Sequence, residues 1–233
     1  MAGGIERVTT KKDIGIAPSG YHLRYYTNRT WRNYSELLSM VVRYSSPGPI
    51  LDLGTGCGYL IEAANKWGMV SVGLEGSEDA VQIAKKRVPS LDVRLHCLSN
   101  KLPFSSESFQ TVVLNQVIEH LEPEVMDYVL HESYRVLIPE GMILITSPSC
   151  FNKIELEADP THINLISPRK LKMKLVDCGF ESVTSFDTPL YFFGTNKISK
   201  IFSELLLKVI KIEKLSATAN AMAFKTRNAY KVT

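Results

Sequence analysis

Short apolar runs and stretches of helical period take turns along residues 50–180. The runs "ILDL" (50–53), "MVSVGLE" (69–75), "DVRLHCL" (92–98), "FQTVVLN" (109–115) and "GMILITSP" (141–148) are apolar and mostly rich in β-branched residues, which predicts five strands. Helical period fills 57–66. It returns after Ser77, an N-cap candidate, where Ala80, Val81 and Ala84 share one face up to Pro89, and again over 123–137. Strands that alternate with helices build right-handed βαβ units, and so a doubly wound parallel sheet.

Both flanks depart from that pattern. Ser167 and Pro168 form a cap and first-turn pair for a helix over 168–178, and Gly179 supplies its stop. "FESVTSFDT" (180–188) and "ATANAMAFKTR" (217–227) predict two more strands, so the tail is not another βαβ unit. Between them, 198–215 sets Ile201, Leu205 and Val209 on one broad face, with Lys200, Lys208 and Lys211 on or near the other. Residues 190–216 are therefore read as a helical insert before the last strand. It could cover its own domain, close as a lid, form a dimer contact or lie on a membrane surface. Residues 1–20 lack periodicity and are read as a flexible N-terminal arm. Residues 21–45 carry Tyr21, Tyr25, Tyr26 and Trp31, turn helical from Trp31, and end at the breaker "SSPGP" (45–49). They predict an N-terminal helical cover, and residues 21–233 form one domain on this reading.

Length agrees. A chain of 233 residues suits one large α/β domain, which buries roughly 75% of its unfolded surface and needs no covalent staples. The net charge of +3 comes from scattered lysines and gives no strong nucleic-acid signal. Cys57, Cys97, Cys150 and Cys178 lie too far apart for a zinc-type spacing and fit a reducing compartment. "MAGGIERVTTKKD" lacks the apolar core of a secretion signal. No uncharged apolar run approaches the ~20 residues that span a bilayer. The expectation is a cytoplasmic monomer or homodimer with no transmembrane segment.

The first strand runs into Gly54-Thr55-Gly56-Cys57-Gly58. Glycine there lets the backbone turn sharply and approach a ligand, at the end of the sheet where open α/β folds bind ligands. Glu75 ends the second strand and can accept both hydrogens of a ribose diol. NAD and S-adenosylmethionine each carry such a diol. The dinucleotide fingerprint needs a third glycine at position 59, which is Tyr59. Asp52 beside the loop would repel a pyrophosphate but can help hold an ammonium.

Together, "ILDLGTGCG", "VGLEGSEDAVQIAKKR" and "LPFSSESFQTVVLNQVIEHL" occur in the order and spacing of a known family. Over about residues 48–180 the chain resembles the class I S-adenosylmethionine-dependent methyltransferases, especially their small-molecule group. The resemblance implies a Rossmann-like, mostly parallel seven-stranded sheet with an antiparallel last strand and helices on both faces. It implies S-adenosylmethionine as cofactor and a small-molecule acceptor, an apolar one if the insert is a lid. Asp52, Gly54, Thr55 and Gly56 would lie along the methionine part, and Glu75 would take the ribose. Gly76 and Ser77 would sit under the adenosine, and Leu98, Ser99 and Asn100 at the adenine. The family's usual acid is missing at that last position. Asn115 and Gln116 would flank the methionine carboxylate and the reacting methyl.

A methyl on sulfonium is already activated, so a base is needed only where the acceptor must lose a proton. His120 and His162 are the candidates. The first reading of Glu119-His120 is a helix-start cap and a packed imidazole, with no metal. A resembling subset holds a divalent cation through Glu-x-x-Glu-His and a later His, which maps onto Gln116, Glu119, His120 and His162. Gln116 there replaces a carboxylate. An RNA methyltransferase and a non-catalytic, cofactor-binding partner subunit remain open alternatives.

Overall fold

A computed structural model describes residues 29–188 and 216–226, together with Glu204 and Lys214. The arm at 1–20, Tyr21, Tyr25, Tyr26 and nearly all of the 190–216 insert lie outside the described residues. Seven strands form one sheet in the order β3-β2-β1-β4-β5-β7-β6. They are β1 (Ile50–Leu53), β2 (Ser71–Glu75), β3 (Val93–Leu95), β4 (Phe109–Asn115), β5 (Leu137–Thr146), β6 (Phe180–Ser185) and β7 (Ala221–Lys225). β1 to β5 pair in parallel, and β7 runs antiparallel between β5 and β6. The expected sheet, including its antiparallel last strand, is present.

Six α-helices are described: α1 (Ser35–Tyr44), α2 (Tyr59–Lys66), α3 (Glu78–Arg87), α4 (Pro123–Val136), α5 (Lys153–Ala158) and α6 (Pro168–Asp177). Strand alternation explains how they cover two faces. Leu51, Leu53, Val112, Leu114, Ile143 and Ile145 point to one side, where Met126, Val129 and Leu130 of α4 and Leu171 and Leu175 of α6 pack. Their neighbours Ile50, Val113, Met142 and Leu144 point to the other, against Leu38 and Val41 of α1 and Leu60 and Ala63 of α2. Parallel strands buried on both faces read as continuous apolar runs, which is why they were visible in the sequence.

Local chemistry sets the helix ends. The Ser77 hydroxyl accepts from Ala80 N at 3.3 Å and the Ser167 hydroxyl accepts from Lys170 N at 3.2 Å, so both predicted caps form. β5 starts four residues earlier than the run at 141 predicts, because Leu137 pairs with Phe109 before a register shift. The last strand is shorter than 217–227. Its first residues instead meet the chain just beyond β5, through a Pro148–Thr218 bridge and the Ala219 N to Ser147 O bond.

Candidate functional site

The sheet order reverses between β1 and β4, so a crevice opens at their carboxyl ends. Gly54, Gly56 and Gly58 hold left-handed φ values of 70°, 56° and 73°. A side chain at Gly54 would also strike Val117, since its Cβ would sit 2.6 Å from Cγ2. Gly54 N and Thr55 N both donate to Leu74 O, at 2.8 and 3.0 Å, which folds the loop against β2.

Glu75 completes that fold. Its Oε2 accepts from Gly56 N at 2.7 Å and its Oε1 from Ser77 N at 2.8 Å. Burial raises its carboxyl above the usual range, while the amides of Ser77, Gly56 and Gly76 oppose the shift. A carboxylate has about four acceptor sites, so it can still accept from a ribose hydroxyl beside these amides. Asp52 is buried one strand away, and burial pushes it up to about 7, opposed by the Thr55 hydroxyl and reinforced by Glu75. Among the described residues no cationic side chain forms an ion pair with Asp52.

Farther along the crevice, the Leu98 side chain is buried in the main core. Asn100 N closes a turn onto Cys97 O at 3.0 Å, and Ser99 Oγ lies 3.1 Å from Cys97 Sγ. Gly76 is exposed, and Ser77 spends its hydroxyl as the cap of α3. At the end of β4, the Thr146 hydroxyl donates to Asn115 Oδ1 at 2.6 Å and accepts from Gln116 Nε2 at 3.4 Å. Gln116 itself has a left-handed φ of 58°, a conformation uncommon outside glycine that tends to mark sites under constraint.

The acceptor-side candidates also converge. Ile118–His120 form a 3-10 turn, and α4 starts only at Pro123 with Glu122 at the cap position. Glu119 is therefore no helix-start cap. It is fully buried, neither carboxylate oxygen makes a close hydrogen bond among the described residues, and burial drives its carboxyl up to about 8, opposed by its own backbone amide and the Ser147 side chain. His120 and His162 bring their rings to 5.0 Å, centre to centre. His120 Nδ1 faces Thr161 O at 3.2 Å and His162 Nδ1 faces Glu155 O at 3.3 Å. A carbonyl can only accept, so a ring in its neutral form carries its proton on Nδ1 and has a lone pair on Nε2; Nε2 of His162 also lies 3.7 Å from Asp159 Oδ2. Burial lowers the pKa of His120, which favours that neutral form. Single donor atoms of Glu119, His120 and His162 lie within 4.8 Å of one another. Gln116 directs its amide to Thr146 instead.

Residues 51–145, from β1 through β5, match the family model of a methyltransferase domain. That stretch is similar to a methyltransferase domain, over about two fifths of the chain. It is 28% identical over 116 residues to an uncharacterized methyltransferase of Oceanobacillus iheyensis, covering 50% of this chain and 54% of that protein. It is 32% identical over 114 residues to the mitochondrial ubiquinone biosynthesis O-methyltransferase of Mus musculus, covering 46% of this chain and 30% of that one. The chain thus spans about half the length, or less, of these two relatives. A solved methyltransferase from Archaeoglobus fulgidus shares the fold at a TM-score of 0.66 and 22% identity, over 84% of this chain and 95% of that one.

The sequence motifs brought forward Asp52, the glycine loop, Glu75, Asn115 and Gln116, and these share one edge of the sheet. They did not bring forward Thr146, whose place opposite Asn115 in the β4–β5 register ties both amides. The usable signal was its position at a strand end. Thr161 and Asp159 were missed as well. They orient His120, with the Thr161 hydroxyl 3.1 Å from His120 Nδ1 and 2.6 Å from Asp159 Oδ1. No helix among the described residues is long and apolar enough to cross a membrane.

Proposed function

We propose that this protein transfers a methyl group from S-adenosylmethionine to an oxygen, nitrogen or carbon of a small molecule. The observation that carries the reading is the pairing of Glu75, pinned by the Gly56 and Ser77 amides, with a buried Asp52 that has no ion-pair partner among the described residues. A carboxylate at the end of β2 suits a ribose diol. A second, unneutralised acid at the end of β1 suits the cationic methionine end and disfavours a pyrophosphate.

When bound, the cofactor supplies a methyl on positively charged sulfur, ready for in-line displacement. The residues here mainly hold and align. Glu75 accepts the ribose hydroxyls, and Asp52 takes the methionine ammonium. Asn115 and Gln116, locked by Thr146, flank the methionine carboxylate and the methyl. His120 and His162 present Nε2 lone pairs where an acceptor hydroxyl could lose its proton. Positioning of this kind can supply a large part of the rate enhancement for an activated donor.

A second reading of the acceptor side rests on Glu119. A buried carboxylate whose oxygens make no close hydrogen bond is costly unless something meets it. Two Nε2 lone pairs beside it make a mixed nitrogen–oxygen donor set, better matched to zinc or manganese than to magnesium. In this reading Glu119, His120 and His162 would hold a divalent cation, which would supply Lewis-acid polarisation of an acceptor oxygen.

Calorimetry with S-adenosylmethionine, S-adenosylhomocysteine and NADH tests the donor, and mass spectrometry of copurified small molecules tests both ligands. Micromolar binding of the first two and none of NADH is the expected result. Tight NADH binding would overturn the reading. Donor binding without turnover across a broad acceptor panel would point to a partner subunit, and salt-dependent RNA binding to an RNA acceptor.

A further inference from the structure

We propose that Arg87 is a positioning residue for the donor. It acts through the carbonyl of Cys57 in the glycine loop, and the inference rests on that loop being the donor site. Arg87 is the last residue of α3, ten residues beyond Ser77, yet its guanidinium returns to the loop's outer side. Nη2 donates to Cys57 O at 2.9 Å, and Nη1 donates to Glu62 Oε2 at 2.6 Å. The guanidinium also lies over the Tyr59 ring, 3.9 Å from its centre, and Tyr59 stacks on Tyr34 from the N-terminal cover at 6.2 Å.

The reason the loop needs this contact lies in its backbone. Cys57 stands between Gly56 and Gly58, both left-handed. Glycines on each side leave the intervening peptide planes free to rotate, because no Cβ restricts them. Glu75 fixes the Gly56 amide from inside the crevice. Arg87 fixes the Cys57 carbonyl from outside. In a planar trans peptide, holding that oxygen also sets the direction of Gly58 N, which closes the turn onto Thr55 O at 3.0 Å. The two charged side chains thus restrain neighbouring residues of the ligand-facing loop. Lysine cannot replace arginine here, since one ammonium cannot bond both Cys57 O and Glu62 while lying flat on Tyr59.

Calorimetry with S-adenosylhomocysteine on wild type, Arg87→Lys, Glu62→Gln and Glu75→Ala separates the possibilities. Arg87→Lys is expected to raise Kd about tenfold with unchanged stoichiometry. Glu62→Gln leaves the Cys57 contact in place and is expected to shift Kd less than twofold. A purely structural role for Arg87 would lower the melting temperature and the stoichiometry while the remaining folded fraction kept its Kd, and that result overturns the inference. So does a Glu62→Gln protein as weak as Arg87→Lys, which would assign the effect to the ion pair between helices. Loss of affinity in Glu75→Ala but not in Arg87→Lys sinks the role of Arg87 alone. Unaltered affinity in Glu75→Ala sinks the donor reading itself.

Discussion

The amide of Gly56 donates to the carboxylate of Glu75 across 2.7 Å, so one side chain both shapes the glycine loop and ends the strand beside it. A hydrogen bond to a charged group contributes roughly 1.5–3 kcal/mol. Glu75→Gln keeps the length but turns one acceptor into a donor that faces a backbone N–H. It is expected to weaken S-adenosylhomocysteine binding by about 10- to 100-fold and to lower the melting temperature. Titration calorimetry and a thermal melt on the same sample check both. A variant that melts earlier but binds as wild type would make Glu75 a loop brace only.

Gly54 is constrained twice, by its left-handed φ and by Val117 where a Cβ would sit. Gly54→Ala is expected to cost about 1–3 kcal/mol of stability, the usual range for one strained backbone position. Urea unfolding should show this as a lower midpoint at unchanged slope. Adding Val117→Ala opens the space but leaves the φ strain. Because those two residues touch, the double variant should regain only part of the loss. Full additivity would show that Val117 is not the obstacle.

Much of this was legible along the chain because parallel strands buried on both faces leave unbroken apolar runs. β4 begins and ends where "FQTVVLN" does, and the Ser77 and Ser167 caps sit where residue type placed them. Elements held by distant contacts were not legible. Leu137 reads as the end of a helix over 123–137 and the strand as starting at 141, but β5 starts at Leu137 through its pairing with Phe109. The donor side could be read because glycine conformation and strand-end acids are local signals. The acceptor side depends on residues 159–164 folding back over the 3-10 turn, where Asn164 N bonds Glu119 O at 3.0 Å. No spacing rule reports that, so Glu119 looked like a cap and proved to be a buried acid with no close hydrogen-bond partner among the described residues.

Thr146 couples the two amides at the end of β4. Thr146→Val keeps the shape and removes the hydroxyl between Asn115 Oδ1 and Gln116 Nε2. The expected effect is a three- to tenfold weaker donor affinity, about 0.5–1.5 kcal/mol, with little change in stability. Asn115→Ala in the Thr146→Val background should add less than it does alone, since both act through one hydrogen bond. Additive losses in calorimetry would separate the two residues.

Glu119 gives a pH signature with a definite sign. Its folded carboxyl titrates near 8, well above the ordinary glutamate value, so the folded protein holds that proton more tightly than the unfolded chain. Below the unfolded value of about 4.3 both states are protonated, and stability does not change with pH on this account. As pH rises from there to 8, stability is lost at up to about 1.4 kcal/mol per unit. Glu119→Gln cannot ionise, so its melting temperature should fall less than that of wild type between pH 5 and pH 8. Parallel curves would show that Glu119 is not the buried titrating group. Zinc or manganese added at pH 8 supplies the missing partner for the ionised carboxylate. It should raise the melting temperature of wild type, and much less that of Glu119→Gln or of His162→Gln. An equal rise in all three would place the cation elsewhere. No rise in any would leave His120 and His162 as acceptor-side bases and remove the cation from the reading.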